Sequence, residues 1–477
     1  MPTTLDEQSG LQVVPLFIGG SPVSTGKRFP VHSAVQNKDV YLAESADERT
    51  AIAAAEAADK AFPVWRKTTA ATRREIICRV TAIIQRRQDE LKAFQIEETS
   101  CSETWAGFNI TYTVNMLKEI AARTTQACSG EVPPMANEDT FGVVLKEPVG
   151  PVLLIAPWNA AVILAARSLG SILAAGCTAV FKTSELSPRT HHCLVEIFIE
   201  AGVPADVISV IQTSRQDAPT VTEALIGHKA IKKVEFIGSA AVGRIIGSFA
   251  GRYLKPVLME LGGKCVSIVL EDADLEAAAT KTVNQALIHH GQVCFSTERI
   301  VVMQSVADQF IALIKDKAMA YQQGSGVNTN IVNNSYNFLV DAKEKGATFI
   351  LGEPQYCSET SLQVALLTGV NKTMKMWDEE SFGPSATVII VKNDAELVEV
   401  VNESSYGLDA FLHTKDMKRA LAIARQLEVG RVRVNNPAHE PTFPTNPVKG
   451  SGWGRNNAAA GIEEFLHRKV VTMDFRE

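Results

Sequence analysis

Three polar side chains of the sequence are placed where they could act on a carbonyl compound. Cys294, in HHGQVCFSTERI, follows a predicted helix and precedes the strand RIVVM, where a thiol could be a nucleophile. Glu260 ends an apolar strand in KPVLMELGGK and could be a general base. Asn159 follows a Pro-Trp turn, and its amide could donate to a developing oxyanion.

Each of these residues also has a purely structural interpretation. Cys294 could be a small buried hydrophobe, since cysteines in apolar surroundings usually are. Glu260 could form an ion pair with a lysine such as Lys264. Asn159 could cap a helix. Taken one at a time, the residues leave these alternatives open.

A second group of residues is typical of nucleotide binding. Lys182 and Glu185, in FKTSELSP, follow a strand at the edge where open α/β sheets bind nucleotides, and they suit ribose hydroxyls. In EFIGSAAVG, Gly238, Ser239 and Gly243 open a helix directly after a strand and could present backbone N–H groups to a pyrophosphate. The alternative for Ser239 is ordinary helix capping.

The segment EESFGPSATVII adds Glu380 and Phe382 just before a strand. The carboxylate could bind a second ribose, and the ring could pack on a nicotinamide. An exposed acid in a turn is the other interpretation.

The elements that must position these residues follow from the hydrophobic pattern. VGPVLLIAPWN, CTAVFK, DVISVIQ and KKVEFIG are short apolar strands separated by helical segments, which predicts a parallel, doubly wound sheet. KCVSIVL, RIVVM, ATVIIV and DAFLH form a second such series and predict a second α/β lobe. Earlier in the chain, LFIGG predicts an entry strand, and residues 47–62 and 72–98 predict two Ala-rich helices.

Two further strands lack an obvious place in these lobes. DTFGVVLKEPVG and the C-terminal VVTMDF could complete a sheet across a subunit contact, or they could be edge strands within one chain.

Composition limits the class of protein. The chain has 477 residues, 46% of them hydrophobic, and a net charge of −6, so it predicts a globular protein of two or more lobes without a surface for nucleic acid. Eight scattered cysteines fit a reducing compartment. Because the sequence shows no targeting pattern, we expect a cytoplasmic protein. We expect no metal site. The apolar stretch from Ala160 to Phe181 contains Arg167, which predicts a buried helix and strand rather than a membrane span.

In this order, PWN, the lysine and glutamate of FKTSE, FIGSAAVG, MELGGK, GQVC, EESFGP and SGWGR resemble the aldehyde dehydrogenase superfamily. The resemblance implies an α/β fold with a Rossmann-like NAD lobe (1–127 and 149–260), an α/β catalytic lobe (261–463) and a small β oligomerisation extension (128–148 and 464–477). It also implies a homodimer or homotetramer.

The resemblance assigns roles residue by residue. Cys294 is the expected nucleophile and Glu260 the base, while Asn159 and the Cys294 backbone N–H form the expected oxyanion hole. The expected cofactor contacts are Trp158, Lys182, Glu185, Gly238, Ser239, Gly262, Glu380 and Phe382.

The expected reaction is oxidation of an aldehyde to its carboxylic acid. Glu260 argues for hydrolysis of the thioester on Cys294 over acyl transfer to coenzyme A. Glu185 argues for NAD over NADP, since a carboxylate near the 2′ position repels a 2′-phosphate. The competing hypotheses are a non-catalytic protein of the same fold, or a coenzyme A-acylating dehydrogenase or thiol esterase.

Within the superfamily, the sequence looks most like the benzaldehyde, vanillin and salicylaldehyde dehydrogenase group, which implies an aromatic substrate. Arg167 could pair with a polar ring substituent, or it could be tied to a carboxylate on a neighbouring helix. Phe295 and Phe443 are candidate pocket walls.

Two departures from the family pattern border the expected site. TNPVKGSG replaces the usual Phe-Gly-Gly turn, so Asn446 and Pro447 could reshape the loop beside the substrate. Asn456 and Asn457 stand where some members have a second acid, which leaves Glu260 as the evident base.

Overall fold

The computed structural model describes residues 4–436 and 440–476 of the chain and has a mixed α/β fold. Fourteen α-helices lie within the described residues: α1 Glu48–Trp65, α2 Ala70–Arg86, α3 Gln88–Thr99, α4 Glu103–Cys128, α5 Ala161–Ala175, α6 Pro188–Glu200, α7 Ala218–Gly227, α8 Ala240–Arg252, α9 Leu275–Leu287, α10 Ala307–Met319, α11 Thr329–Glu344, α12 Asp394–Asn402, α13 Met417–Ala424 and α14 Ala458–Glu463.

The same residues form 25 strands: β1 Thr4–Leu5, β2 Gln12–Val14, β3 Leu16–Ile18, β4 Ser21–Val23, β5 Arg28–Ser33, β6 Lys38–Glu44, β7 Thr140–Pro148, β8 Val152–Ile155, β9 Ala179–Lys182, β10 Ile208–Ile211, β11 Lys233–Ile237, β12 Val257–Glu260, β13 Val266–Val269, β14 Arg299–Met303, β15 Thr348–Leu351, β16 Tyr356–Ser358, β17 Ser361–Leu362, β18 Ala365–Thr368, β19 Ser385–Val391, β20 Tyr406–Gly407, β21 Ala410–His413, β22 Val432–Val434, β23 Val448–Lys449, β24 Gly452–Trp453 and β25 Leu466–Asp474.

The first large sheet has the strand order β24-β12-β11-β8-β9-β10-β3-β4. Its five central strands, β12 to β10 in that order, are parallel, and antiparallel strands close both edges. Strands β8, β9, β10 and β11 are fully buried because helices cover both faces, which explains their continuous apolar runs. The doubly wound sheet predicted from the sequence is therefore confirmed.

The second large sheet has the order β15-β18-β19-β14-β13-β21-β22 and is parallel except at β15. It contains all four strands of the second predicted series and forms the second α/β lobe. The described helices α9 and α10 pack on one of its faces and bury an apolar cluster there.

The strands β7 and β25 pair with each other, antiparallel, over nine residue pairs from Leu466↔Pro148 to Asp474↔Thr140. The C-terminal strand therefore finds its partner within the chain. The small β extension is this two-stranded ribbon, defined here as β7 and β25.

Two local features differ from the sequence-based expectation. The helix predicted over 72–98 is two helices, because the chain leaves helical geometry at Arg87 (φ −97°, ψ 19°) between α2 and α3. A four-stranded sheet in the order β1-β2-β6-β5 forms near the N-terminus, where the sequence analysis predicted only the entry strand.

Helix α5 lies at the centre of the first lobe, and every one of its residues is buried. It packs on α4, α6 and α2, and it carries Arg167 into the interior. Across the described ranges, no helix is both long and apolar enough to cross a membrane. The division of the chain into three domains remains a prediction; β24, from the segment assigned to the catalytic lobe, pairs with β12 of the first sheet.

Candidate active site

A cleft of about 810 Å³ lies at the carboxyl ends of the parallel strands of the first sheet. The eight cofactor contacts that the family resemblance implies all line the cleft: Trp158, Lys182, Glu185, Gly238, Ser239, Gly262, Glu380 and Phe382. Its inner end is lined by Asn159, Glu260 and Cys294. The cleft therefore joins the candidate nucleotide site to the candidate catalytic residues.

A second, narrower cavity meets the cleft at the same point. Its walls are mostly apolar and include the rings of Trp105, Phe108, Tyr112 and Phe295. The two cavities share only four lining residues, namely Asn159, Leu164, Glu260 and Cys294. We call this second cavity the aromatic pocket.

The turn before Cys294 is built from three consecutive left-handed residues. His289 (φ 50°), His290 (φ 59°) and Gly291 (φ 78°) reverse the chain after α9. A Cβ on Gly291 would lie 2.0 Å from the Gly383 carbonyl oxygen, so only glycine fits there. This turn sets the cysteine at the junction of the two cavities.

The Cys294 thiol lies in surroundings that keep it protonated. Burial raises its pKa well above the ordinary range, and the charges of Glu260 and Glu380 raise it further. The charges of Arg167 and Arg431 act in the opposite direction. A base must therefore take the thiol proton before the sulfur can attack.

Glu260 is held by one carboxylate oxygen only. Its Oε2 accepts hydrogen bonds from Arg167 Nη2 at 2.6 Å and from Asn456 Nδ2 at 3.0 Å. No other described residue bonds the carboxylate, so Oε1 is left for a ligand. Lys264, the partner suggested by the sequence, binds Glu298 instead at 2.5 Å.

Arg167 is thus tied to a carboxylate, as one of the two sequence interpretations expected, but the acid ends a strand rather than lying on a neighbouring helix. A second buried acid, Glu235 of β11, lies in the same region and accepts a 2.6 Å hydrogen bond from Ser168 Oγ. Burial raises the pKa of Glu235 to about 7, and the charge of Arg167 lowers it.

Asn159 is rigidly placed but is not a helix cap. Its Nδ2 donates to the Gln292 backbone carbonyl at 3.0 Å, and the backbone carbonyl of Asn159 accepts from Trp105 Nε1 at 2.9 Å. The cap of α5 is Ala160, which makes no side-chain capping bond. Because an amide nitrogen carries two hydrogens, one N–H of Asn159 remains for a ligand.

The cleft offers polar groups of both signs. Lys182 is buried, which lowers its pKa, while the nearby charge of Glu185 raises it. Neither side chain makes a hydrogen bond to another described residue. Ser239 caps α8 by accepting from Val242 N at 3.4 Å, and the first turn of that helix opens onto the cleft.

Glu380 and Gly262 lie in direct contact at the inner part of the cleft. Glu380 Oε1 accepts from Gly263 N at 3.0 Å, and a Cβ on Gly262 would lie 2.1 Å from Glu380 Oε2. Burial and the charge of Glu298 raise the pKa of Glu380 to about 8. Phe382 (φ 54°) lies edge-on to Trp158, with ring centroids 6.2 Å apart.

Most of the aromatic pocket is not predicted by the sequence. Trp105, Phe108 and Tyr112 lie on α4 with stacked rings 5.4 and 5.7 Å apart, and their spacing of three and four residues could have revealed this face. Phe295 lines the pocket as expected from the sequence. Phe443 does not: it is 68% exposed and is not among the lining residues.

The loop that contains Asn446 and Pro447 is linked to Glu260. Thr445 lines the aromatic pocket and pairs with Asn456 through two backbone hydrogen bonds of 2.9 and 3.0 Å. Asn457 Nδ2 donates to Thr445 Oγ1 at 2.9 Å. The two asparagines that replace an acid in the family pattern thus connect this loop to Glu260.

Away from these cavities, Glu90, Cys193 and Glu196 lie close enough together to hold a metal ion. Arg87 already occupies that position, with bonds to Glu90 at 2.7 Å and to Glu196 at 3.0 Å. A cation of the protein therefore balances these acids.

A parallel sheet with a nucleotide-sized cleft at its carboxyl edge, joined to a second α/β lobe, defines a two-lobed oxidoreductase fold. Residues 22–471 match the aldehyde dehydrogenase family. The chain therefore belongs to the aldehyde dehydrogenase family and is an oxidoreductase that acts on aldehydes.

Three relatives illustrate the similarity. Vanillin dehydrogenase of Pseudomonas fluorescens is 38% identical over 477 residues, covering 96% of this chain and 98% of the relative. Salicylaldehyde dehydrogenase from Pseudomonas putida G7, solved with salicylaldehyde, has a TM-score of 0.94 at 34% identity, covering 98% and 99% of the two chains. Betaine aldehyde dehydrogenase from Staphylococcus aureus, solved with NAD+, has a TM-score of 0.93 at 26% identity, covering 97% and 98%.

Proposed function

We propose that the protein oxidises an aromatic aldehyde to its carboxylic acid, using Cys294 as nucleophile, Glu260 as base and NAD as hydride acceptor. The observation that carries the proposal is the meeting of the two cavities at Asn159, Glu260 and Cys294. An aldehyde entering the aromatic pocket and a nucleotide in the cleft would reach the same sulfur atom from two sides.

The cleft residues fit a nicotinamide dinucleotide. Lys182 and Glu185 are polar groups without hydrogen-bond partners among the described residues, and they suit the hydroxyls of the adenosine ribose. A carboxylate at that position disfavours a 2′-phosphate, which supports NAD over NADP. The start of α8 at Ser239 suits the pyrophosphate, and Glu380 suits the second ribose.

The first chemical step is activation and attack by the thiol. Glu260 Oε1 takes the Cys294 proton, and the sulfur then forms a bond to the aldehyde carbon. The carbonyl oxygen gains negative charge, which the free N–H of Asn159 and the Cys294 backbone N–H stabilise. When bound in the cleft, the nicotinamide ring supplies the acceptor for the hydride that leaves the aldehyde carbon, and a thioester remains on Cys294.

The second step is hydrolysis of that thioester. After its proton has passed to solvent, Glu260 Oε1 takes a proton from a water molecule, and the resulting hydroxide attacks the acyl carbon. The carbon–sulfur bond breaks with its electron pair on the sulfur, the carboxylic acid leaves, and the Cys294 thiolate takes back a proton from Glu260. The bonds from Arg167 and Asn456 to Oε2 keep Oε1 directed to the reacting atoms during both steps.

The proposal is tested with purified protein, NAD or NADP, and either benzaldehyde or hexanal, with and without coenzyme A. We expect NADH and benzoate from benzaldehyde without coenzyme A, and a lower kcat/KM for hexanal. Absence of NADH with every aldehyde would favour a non-catalytic protein. A strict requirement for coenzyme A would favour acyl transfer.

A further inference from the structure

Arg431 is a second cation on the wall of the aromatic pocket, and the sequence analysis did not predict it. It precedes β22 and lines the same pocket as Cys294, with 24% of its side chain exposed. Its Nε donates to Asp409 Oδ1 at 3.0 Å. Its two terminal nitrogens make no hydrogen bond to any residue that the structure describes.

The carboxylate behind Arg431 is shared. Asp409 is almost fully buried and also binds Arg433, whose Nη2 lies 2.5 Å from Oδ2. Burial alone would raise the pKa of Asp409, but the charges of Arg431 and Arg433 outweigh it and lower the pKa, so the acid stays ionised. Two guanidinium groups against one carboxylate leave a net positive charge on this wall.

This charge acts inside the pocket. Burial raises the pKa of the Cys294 thiol and of the Tyr112 phenol, and the positive charge of Arg431 lowers both. Arg167, the other arginine of the pocket, is bound to the base. Both terminal nitrogens of Arg431 are therefore available to a ligand within the described part of the chain, whereas Arg167 has Nη2 committed to the base.

We propose that Arg431 forms a subsite for an acidic oxygen on the substrate, so that the preferred substrates are aromatic aldehydes whose ring carries a carboxylate or an ionised phenol. The proposal rests on the function proposed above and adds to it the chemistry of the ring substituent. The aromatic walls hold a flat ring, and a planar guanidinium binds a carboxylate through two parallel hydrogen bonds. A ring without such a group leaves the terminal donors of Arg431 unpaired in a half-buried site.

The test compares benzaldehyde, 3- and 4-formylbenzoate, and 3- and 4-hydroxybenzaldehyde as substrates of the wild type, Arg431→Gln, Arg431→Lys and Arg433→Gln. Arg433→Gln is the matched control, because it removes a guanidinium from the same Asp409 without removing a residue that lines the pocket. Thermal melting of each variant establishes that it is folded.

We expect the wild type to have a higher kcat/KM for at least one formylbenzoate than for benzaldehyde. In Arg431→Gln this ratio falls by about 10- to 100-fold, the loss expected for a hydrogen bond to a charged group. Arg431→Lys keeps part of the preference, and Arg433→Gln keeps most of it. If the ionised phenol is the better ligand, the hydroxybenzaldehydes show the larger change, and their advantage grows as pH rises through phenol ionisation.

Binding of ligands that lack an aldehyde tests the Arg431 subsite without any turnover. Isophthalate and terephthalate, the oxidation products of the two formylbenzoates, carry a second carboxylate in place of the aldehyde, and their binding to the protein is measured by calorimetry. Arg431→Gln loses this binding and Arg433→Gln retains it.

The possible failures are distinguishable. If the wild type forms no NADH with any of these aldehydes, the proposed function itself is wrong. If the wild type oxidises benzaldehyde but shows no preference for charged rings, or if Arg431→Gln leaves the ratio unchanged, the subsite is wrong and the oxidation stands.

Discussion

At the scale of single residues, Glu260 has one bound and one free carboxylate oxygen, and the free Oε1 serves both proton transfers of the proposed reaction. We expect Glu260→Gln to form NADH more slowly than the wild type and to stop at about one NADH per active site, because the thiol then loses its proton only to solvent and the thioester is not hydrolysed. Cys294→Ala should form none. Rapid-mixing absorbance measures both, and steady turnover by Glu260→Gln would mean that another base operates.

Arg167 should affect the base rather than the choice of substrate. Arg167→Met removes one of the two side chains that hold Glu260 Oε2, so we expect kcat for benzaldehyde to fall while its KM changes little. The order of preference among benzaldehydes should stay the same. A changed order with an unchanged kcat would instead support the pairing of Arg167 with a ring substituent that the sequence suggested.

Glu235 should make stability depend on pH. Its pKa is about 7 in the folded protein against an ordinary value of 4.5, so the folded state holds a proton that the unfolded state releases between these values. The free energy of unfolding therefore falls as pH rises through this window, and Glu235 contributes up to about 3 kcal/mol of that fall. Glu235→Gln should lose less stability than the wild type between pH 5 and 7 in urea titrations. If the free energy of unfolding changed with pH to the same extent in both proteins, the prediction would be wrong.

The sequence identified Cys294, Glu260 and Asn159 because their local motifs are distinctive. It could not identify the partner of Glu260, because Arg167 and Asn456 are 93 and 196 residues away from it along the chain. Such contacts depend on how the elements pack rather than on local pattern.

At the scale of elements, the loop that contains Asn446 packs tightly on the segment before Arg431. A Cβ on Gly430 would lie 1.7 Å from the Asn446 carbonyl oxygen. Gly430→Ala should therefore push this loop away and cost about 1–3 kcal/mol of stability, as overpacking does. Urea unfolding measures the cost, and the KM for aldehyde should rise more than the KM for NAD.

A suitable control is Gly251→Ala in α8, where an added Cβ meets no atom within 4 Å. A similar loss of stability in both variants would show that the packing of this loop is not the cause.

The parallel strands were predictable because a sheet covered on both faces needs continuous apolar runs. The N-terminal sheet was not, because β5 contains Pro30 and β5 and β6 together carry several charged side chains. Helix α4 was missed although its aromatic face has helical spacing, since its sequence is rich in Thr and Asn and carries little net hydrophobicity.

At the scale of the whole molecule, the ribbon of β7 and β25 leaves apolar side chains in solvent. Val470 is 69% exposed and Phe475 is 66% exposed, while Phe141 and Leu145 are partly exposed nearby. Exposed apolar side chains on both faces of a two-stranded ribbon are typical of a subunit interface. We expect a homodimer or homotetramer by light scattering, and Val470→Glu should shift it to smaller species.

Val64→Glu is the matched control for assembly, because Val64 is 73% exposed on α1 and lies outside the ribbon. A monomeric wild type, or an equal effect of both substitutions, would contradict assembly through the ribbon.

The bond from Asn456 to Glu260 has a consequence for kinetics. Between Asn456 and the first residue of β25 lie only Asn457, the short helix α14 and two further residues. A change in the position of the ribbon therefore occurs close to Asn456, which orients Glu260. On dilution to concentrations where subunits separate, we expect the steady rate per subunit to fall while the initial burst of NADH keeps its amplitude. Enzyme concentration would then regulate hydrolysis of the thioester to the acid and not formation of the thioester on Cys294.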